Sequence, residues 1–211
     1  MNKKVILTLL FICFAITSFA AKIKGCFITN SGDTIHVVFR IPVGLFARTP
    51  NYEKLQWKIT WFDSLNQAQT LRPGEVREYC FEYKSTPVRM VSMTNSLQAS
   101  PSGFRHDQDI FLRLIIDGKL RLFKFYDYSG YVENNPESPD PILKETPGSI
   151  EIFLLQKSGG KVFQPGKNDF GESLRDYLSE CPMVVESINS STCRGDDLYK
   201  LVEMFNEVCS K

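Results

Sequence analysis

Ile110-Phe111-Leu112-Arg113-Leu114-Ile115-Ile116-Asp117-Gly118-Lys119-Leu120-Arg121-Leu122-Phe123-Lys124-Phe125-Tyr126 is two apolar, β-prone runs hinged on Asp-Gly. Asp-Gly between such runs favours a tight type I′ hairpin turn. A two-residue loop pairs Leu112 with Phe123 and Ile110 with Phe125 on one face. It pairs Ile115 with Leu120 on the other. Both faces are partly apolar, so both are expected to be covered, as in a sandwich or a barrel rather than a one-sided sheet.

Upstream, the same signals recur. Ile35, Val37, Phe39 and Ile41 alternate with His36, Val38 and Arg40, which is strand periodicity. Asn30-Ser31-Gly32-Asp33 is a turn cluster before it. Leu55 to Phe62 reads as a strand in which Trp57 and Trp61 share a parity and so a face. Val76 to Tyr83 and Val88 to Met93 follow, punctuated by Pro73-Gly74 and Pro87. Downstream, Tyr131 to Ser149 contains four prolines and reads as a loop. Ile150 to Leu155 and Val162-Phe163, around Ser158-Gly159-Gly160, read as a further hairpin.

From Asp169 the period changes. Phe170, Leu174, Tyr177 and Leu178 share a helical face, with Asp169 as N-cap and Glu172 completing a capping box. Cys181-Pro182 interrupts. Val184, Val185 and Ile188 suit a short second helix. Asp196 can cap a third, whose stripe is Leu198, Leu201, Val202, Phe205, Val208 and Cys209. The fold class is therefore α+β: an antiparallel β-rich body (sandwich or partly open barrel built from hairpins) and a C-terminal bundle of two or three short helices. The expected organisation is 1–20 signal peptide, 21–168 β-rich domain, and 169–211 helical segment packed on the same domain.

The signal peptide follows from Asn2-Lys3-Lys4, the apolar run Val5 to Phe14, and the small-x-small site Ser18-Phe19-Ala20. The run is too short to span a bilayer, and no second one follows. Cleavage near Ala20 places the mature chain in the periplasm or outside the cell. Lys3 and Lys4 leave with the signal, so 25 basic residues become 23 against 24 acidic ones. That balance gives no field to attract nucleic acid. Six cysteines become five when Cys13 is lost. In an oxidising compartment disulfides are the default, and an odd count leaves one thiol over. Cys181 and Cys209 end the first and last tail helices. A bridge between them closes about 29 residues and contributes roughly 3–4 kcal/mol in the chain-entropy model. Cys193 competes as a partner for either. Cys26 and Cys80 both lie on predicted strands and can pair. No CxxC spacing occurs and histidine is scarce, so neither a metal site nor a cofactor is expected.

The stretch Gly25-Cys26-Phe27-Ile28-Thr29-Asn30-Ser31-Gly32-Asp33-Thr34-Ile35 resembles the mature start of uncharacterised secreted proteins of the Bacteroidetes. The resemblance continues in Leu71-Arg72-Pro73-Gly74-Glu75-Val76, around the Asp-Gly turn, and in Tyr177 to Pro182 and Phe205-Asn206-Glu207-Val208-Cys209. It covers most of the mature chain in short motifs. It implies an envelope or extracellular location and favours the Cys181–Cys209 bridge, and it implies no activity. Asp33-Thr34-Ile35 and Asp63-Ser64-Leu65 match the O-glycosylation sites of that group. Asn189-Ser190-Ser191 matches an N-glycosylation acceptor, expected to be idle in a bacterial chain.

No residue is marked as catalytic. His36 and His106 are the two histidines, and neither has a nucleophile beside it in sequence; there is no GxSxG elbow. Asp107 with Asp109, and Asp196 with Asp197, are neighbours rather than carboxylates across a cleft. Arg194-Gly195-Asp196 is an adhesion tripeptide, but capping and a pre-helix turn account for it. Trp57 and Trp61, with Tyr79, Phe81 and Tyr83, can line a ligand surface or serve as core. The leading expectation is a non-enzymatic envelope binding protein for another protein, a glycan or a small apolar ligand. The alternatives are a hydrolase built on dispersed residues and a structural assembly subunit linked through the odd cysteine.

Overall fold

The computed structural model describes residues 20–44, 49–97, 105–127, 131–133, 142–144, 150–166, 169–188 and 195–209. The signal segment before Ala20, Cys193, Asn189 to Ser191 and Arg194 lie outside them.

Among the described residues twelve strands form: β1 Ala20–Thr29, β2 Thr34–Pro42, β3 Ile59–Phe62, β4 Ala68–Leu71, β5 Val76–Tyr83, β6 Thr86–Thr94, β7 Asp109–Ile116, β8 Leu120–Asp127, β9 Tyr131–Glu133, β10 Ile142–Lys144, β11 Ile150–Lys157 and β12 Val162–Phe163. Ten of them make one antiparallel sheet in the order β12-β11-β8-β7-β6-β5-β1-β2-β3-β4, and β9 pairs with β10 separately. The sheet is open, not closed into a barrel. The helices are α1 Tyr52–Leu55, α2 Phe170–Tyr177, α3 Pro182–Ser187 and α4 Gly195–Val208. The fold is α+β with a β-rich body and a helical C-terminal end.

Alternation along the paired strands sorts side chains onto two faces. Cys26, Cys80, His36, Val38 and Arg89 share the first face; Phe27, Phe39, Tyr79, Phe81 and Met90 share the second. The second face is covered twice. Over β1 to β6 it packs Phe27, Phe39, Ile41, Tyr79 and Phe81 against Leu55 of α1. Over β8 and β11 it packs Leu122 and Leu155 against Leu174, Leu178, Leu198, Val202 and Phe205 of the helices. Among the described residues the first face is covered only over β7, β8 and β11, where Ile110, Leu112, Phe123, Phe125 and Leu154 meet Trp57, Leu97 and Val162. Each fully buried side chain of this size is worth about 1.5–3 kcal/mol.

Four sequence expectations are corrected. The Asp-Gly hairpin is not a two-residue type I′ turn: Leu114 pairs with Phe123 and Ile116 with Leu122, with an irregularity between Leu114 and Ile116. The register slips by two up to Leu114, which keeps each residue's face, and by three at Ile116, which the irregularity turns to the face of Leu122. The cause is tertiary. The Asn206 side chain of α4 accepts from Leu120 N–H (2.9 Å) and donates to Leu120 C=O (2.8 Å). A Cβ on Gly118 would lie 2.6 Å from that amide, so the glycine is needed for close approach. The turn with two positive-φ residues is Lys84-Ser85, between Tyr83 and Thr86.

Leu55 to Phe62 is not one strand. Asn51 caps α1 by accepting from Lys54 N–H (3.0 Å), and the strand starts only at Ile59. The Pro-containing stretch is not loop throughout, because Tyr131–Glu133 and Ile142–Lys144 pair in register. At the helix starts, Asp169 is the N-cap of α2 without a side-chain hydrogen bond, and Asp196 is the second residue of α4 rather than its cap.

Among the described residues two disulfides are formed. Cys26–Cys80 joins directly paired residues of β1 and β5, with Cα atoms 5.3 Å apart. Cys181–Cys209 joins the start of α3 to the end of α4, at 6.0 Å. Among the described residues no helix is long and apolar enough to cross a membrane.

Candidate functional site

Where the first face is uncovered, over β1, β2, β3, β5 and β6, it forms an open trough of about 1030 Å³. Its centre is a transverse row of register partners on four adjacent strands: His36, Cys26, Cys80 and Arg89. The disulfide is therefore its floor, flanked by an imidazole and a guanidinium. Beside that row, Val38 pairs with Phe62 and with Lys24, and Glu82 with Pro87. Lys24, His36 and Glu82 are exposed, whereas Val38 and Phe62 are half-buried.

The charges are arranged unevenly. Lys22 lies 4.3 Å and Arg40 5.1 Å from the Phe62 ring centre, so that ring already holds two cations. Lys24 has no acidic partner within ion-pair distance among the described residues. Arg89 is committed: it donates to both Glu78 carboxylate oxygens and reaches Asp117 at 2.6 Å. The hydrogen bond to Glu78 raises the Arg89 pKa above its ordinary value, even against the opposing effect of burial.

Asp63 and Ser64 reach the end of the trough with His36. This is the juxtaposition a dispersed hydrolase would need, and the hydrogen bonds explain it differently. Asp63 accepts from Leu65 N–H (3.0 Å), Gln67 N–H (2.8 Å) and the Gln69 amide (3.0 Å). Those bonds, Gln67 first, hold its carboxyl below the usual range. It is the acceptor that folds the β3–β4 turn, and no hydrogen bond joins His36 to it or to Ser64 among the described residues.

The other singled-out residues are dispersed. Trp57 sits in the turn after α1 against the first-face core, while the half-buried Trp61 lines the trough and packs edge-on to Phe27 of the second-face core, with centroids 5.5 Å apart. They do not share a face. Tyr79 and Phe81 are buried, and Tyr83 packs on the same cluster. His106 bonds the Leu97 carbonyl (3.1 Å) and lies 3.3 Å from Asp107, in the connection before β7. Thr34 and Ser64 are exposed. Among the described residues no group of three or more His, Cys, Asp or Glu side chains is arranged to hold a metal ion.

A second polar constellation lies on the covered face. Arg113 places its guanidinium 4.3 Å from the Tyr52 ring centre and donates to the Tyr126 hydroxyl (2.9 Å); the two tyrosines stack at 4.9 Å. This half-buried cation is satisfied by aromatic faces and a hydroxyl, which accounts for it structurally.

Sequence reasoning named two of the trough's lining aromatics, Trp61 and Phe81, but missed the trough itself because its lining comes from five strands. The signal available was the side-chain parity of Lys24, Cys26, His36 and Val38. Comparison with protein-family models, curated proteins and solved structures finds no match to this chain.

Proposed function

We propose that the chain is a secreted, disulfide-tied binding protein whose trough receives an extended segment of a partner protein in the cell envelope. The observation that carries this reading is the trough itself: an exposed groove with an apolar floor of Val38, Phe62, Pro87 and the Cys26–Cys80 bridge. Two disulfides suit an oxidising compartment.

The shape discriminates between ligand classes. A small apolar ligand needs a concave site that buries most of its surface, and this groove is open along its length. A glycan needs a free aromatic platform; the Phe62 face is held by Lys22 and Arg40, Trp61 lines the trough but packs edge-on against Phe27, and Trp57 packs against the first-face core. An extended peptide needs an elongated groove with apolar contacts and complementary charge at the rim. Lys22, Lys24 and Arg40 favour a segment that carries carboxylates beside its apolar residues.

The test is affinity capture from the envelope fraction with the wild-type protein, Lys24→Glu and Val38→Glu, with Lys200→Glu on α4 as a remote control. The expected result is a partner retained by the wild type and the control and lost from both trough variants. A partner retained by all four proteins, or none recovered by the wild type, overturns the reading.

A further inference from the structure

We infer that the Cys26–Cys80 bridge is a thiol–disulfide exchange site, with Cys80 as the sulfur attacked and Cys26 as the leaving thiolate. Three observations carry this, and none depends on which protein segment occupies the trough. The bridge lies on the floor of a solvent-open groove of about 1030 Å³, so a thiolate can reach it. In the other bridge Cys181 is fully buried in the helical core, and its partner Cys209 is half-buried against the same core. Exposed disulfides are the exchangeable ones.

The third observation decides the direction. A thiolate is stabilised by neighbouring cations and destabilised by neighbouring anions. The first-face neighbours of Cys26 are Lys24 and Ile28 along β1 and His36 across on β2. Those of Cys80 are Glu78 and Glu82 along β5 and Arg89 across on β6. Arg89 is already neutralised by Glu78 and Asp117. Charge left on Cys26 thus has beside it the Lys24 ammonium, which has no ion pair among the described residues, and the His36 imidazole, whereas charge left on Cys80 has beside it the Glu82 carboxylate. Cys26 is the better leaving group, and the lower-pKa thiol leaves faster.

The step balances with a thiol as co-reactant. The incoming thiolate sulfur bonds to Cys80 Sγ as the Sγ–Sγ bond breaks, and the bonding pair leaves on Cys26 Sγ. A second thiolate then attacks the incoming sulfur of the mixed disulfide. It releases the disulfide of the two small thiols and leaves Cys80 reduced. The bridge thus oxidises a pair of thiols; in reverse, the Cys26 and Cys80 thiols reduce a disulfide.

The experiment uses the mature protein with free thiols first blocked by N-ethylmaleimide. It is then exposed to reduced glutathione at neutral pH, quenched with acid, labelled and mapped by peptide mass spectrometry. The expected result is glutathione on Cys80, label on Cys26 and an intact Cys181–Cys209 bridge. Opening of Cys26–Cys80 is expected to be at least about tenfold faster than that of the other bridge. Lys24→Gln and His36→Gln are each expected to slow it severalfold with an unchanged circular dichroism spectrum. Equal opening of the two bridges, glutathione found mainly on Cys26, or no effect of either substitution overturns the inference. The readout involves no protein partner, so its failure is distinct from failure of the binding reading.

Discussion

The side-chain amide of Gln56 pairs with the backbone of Tyr126 as a strand residue would: Nε2 donates to Tyr126 C=O (2.9 Å) and Oε1 accepts from Tyr126 N–H (2.6 Å). The Gln56 carbonyl accepts from Phe111 N–H (2.9 Å). Gln56 therefore bridges β7 and β8 where their own pairing has ended. Its neighbours Leu55 and Trp57 enter the second-face and first-face cores respectively. One fully buried residue thus ties two cores to a split in the sheet.

Gln56→Ala is expected to destabilise the fold by about 3–5 kcal/mol, because two buried backbone groups lose partners at roughly 1–3 kcal/mol each and a cavity is added. At about 2–4 °C per kcal/mol for a chain of this size, the melting temperature drops by roughly 10 °C. Urea unfolding followed by tryptophan fluorescence measures it. A loss below about 1 kcal/mol would show that water replaces the amide.

Asn206 does the same at the other end of β8, on Leu120. Gly118→Ala would push a methyl into that amide. It is expected to cost roughly 1–3 kcal/mol in the wild-type background and distinctly less beside Asn206→Ala. A double-mutant cycle reads the coupling, expected at about 1 kcal/mol. Additive costs would mean the glycine is needed for some other reason.

These two amides also mark how far the sequence can be read. Alternating apolar residues identified β2, β5 to β8 and β11, and the stripe from Leu198 to Phe205 identified α4, because burial against a neighbour imposes a period on the chain. Gln56 and Asn206 impose none: each acts through a contact 70 or 86 residues away. That is why Leu55 to Phe62 read as one strand and the Asp-Gly turn received the wrong register. Trp57 and Trp61 had a common parity only while the turn that carries Trp57 after α1 was read as part of the strand. The trough was invisible for a similar reason, since Cys26, His36, Cys80 and Arg89 become neighbours only through strand order.

Asp63 accepts three hydrogen bonds in its ionised form, and its pKa is lowered. The stability it adds to the β3–β4 turn is therefore present above the ordinary carboxylate range and is lost as pH falls through its depressed folded value. Amide exchange at Leu65 and Gln67 is expected to accelerate in acid ahead of that in β5 or β8. Acid protection of these amides equal to that in the central strands would refute the assignment.

The Cys181–Cys209 bridge closes α3 and α4 over the sheet. Cys181→Ser with Cys209→Ser is expected to cost roughly 3–4 kcal/mol. Hydrogen exchange locates the loss: α4 amides lose protection first, because Leu198, Val202 and Phe205 still pack but are no longer tethered. Uniform loss across β1 to β5 would instead make the helices part of one cooperative core.

Tyr79 is fully buried and donates its hydroxyl hydrogen bond to the Leu55 carbonyl (2.9 Å). Burial, then the nearby Tyr52, raise its pKa well above the ordinary 10.0. The folded chain therefore keeps this proton where the unfolded chain releases it. Its contribution is complete below pH about 10 and declines as pH rises further, since the folded state then binds more protons than the unfolded. Tyr79→Phe removes both effects. At neutral pH it is expected to cost about 1–2 kcal/mol, from the stranded Leu55 carbonyl. Above pH about 10 the wild type is expected to lose stability faster than the variant, because burial of Tyr79 then holds a proton against the solvent. Urea midpoints at pH 7 and pH 11 test this. Converging curves support the buried neutral phenol, and parallel ones would mean that Tyr79 opens to water before it ionises.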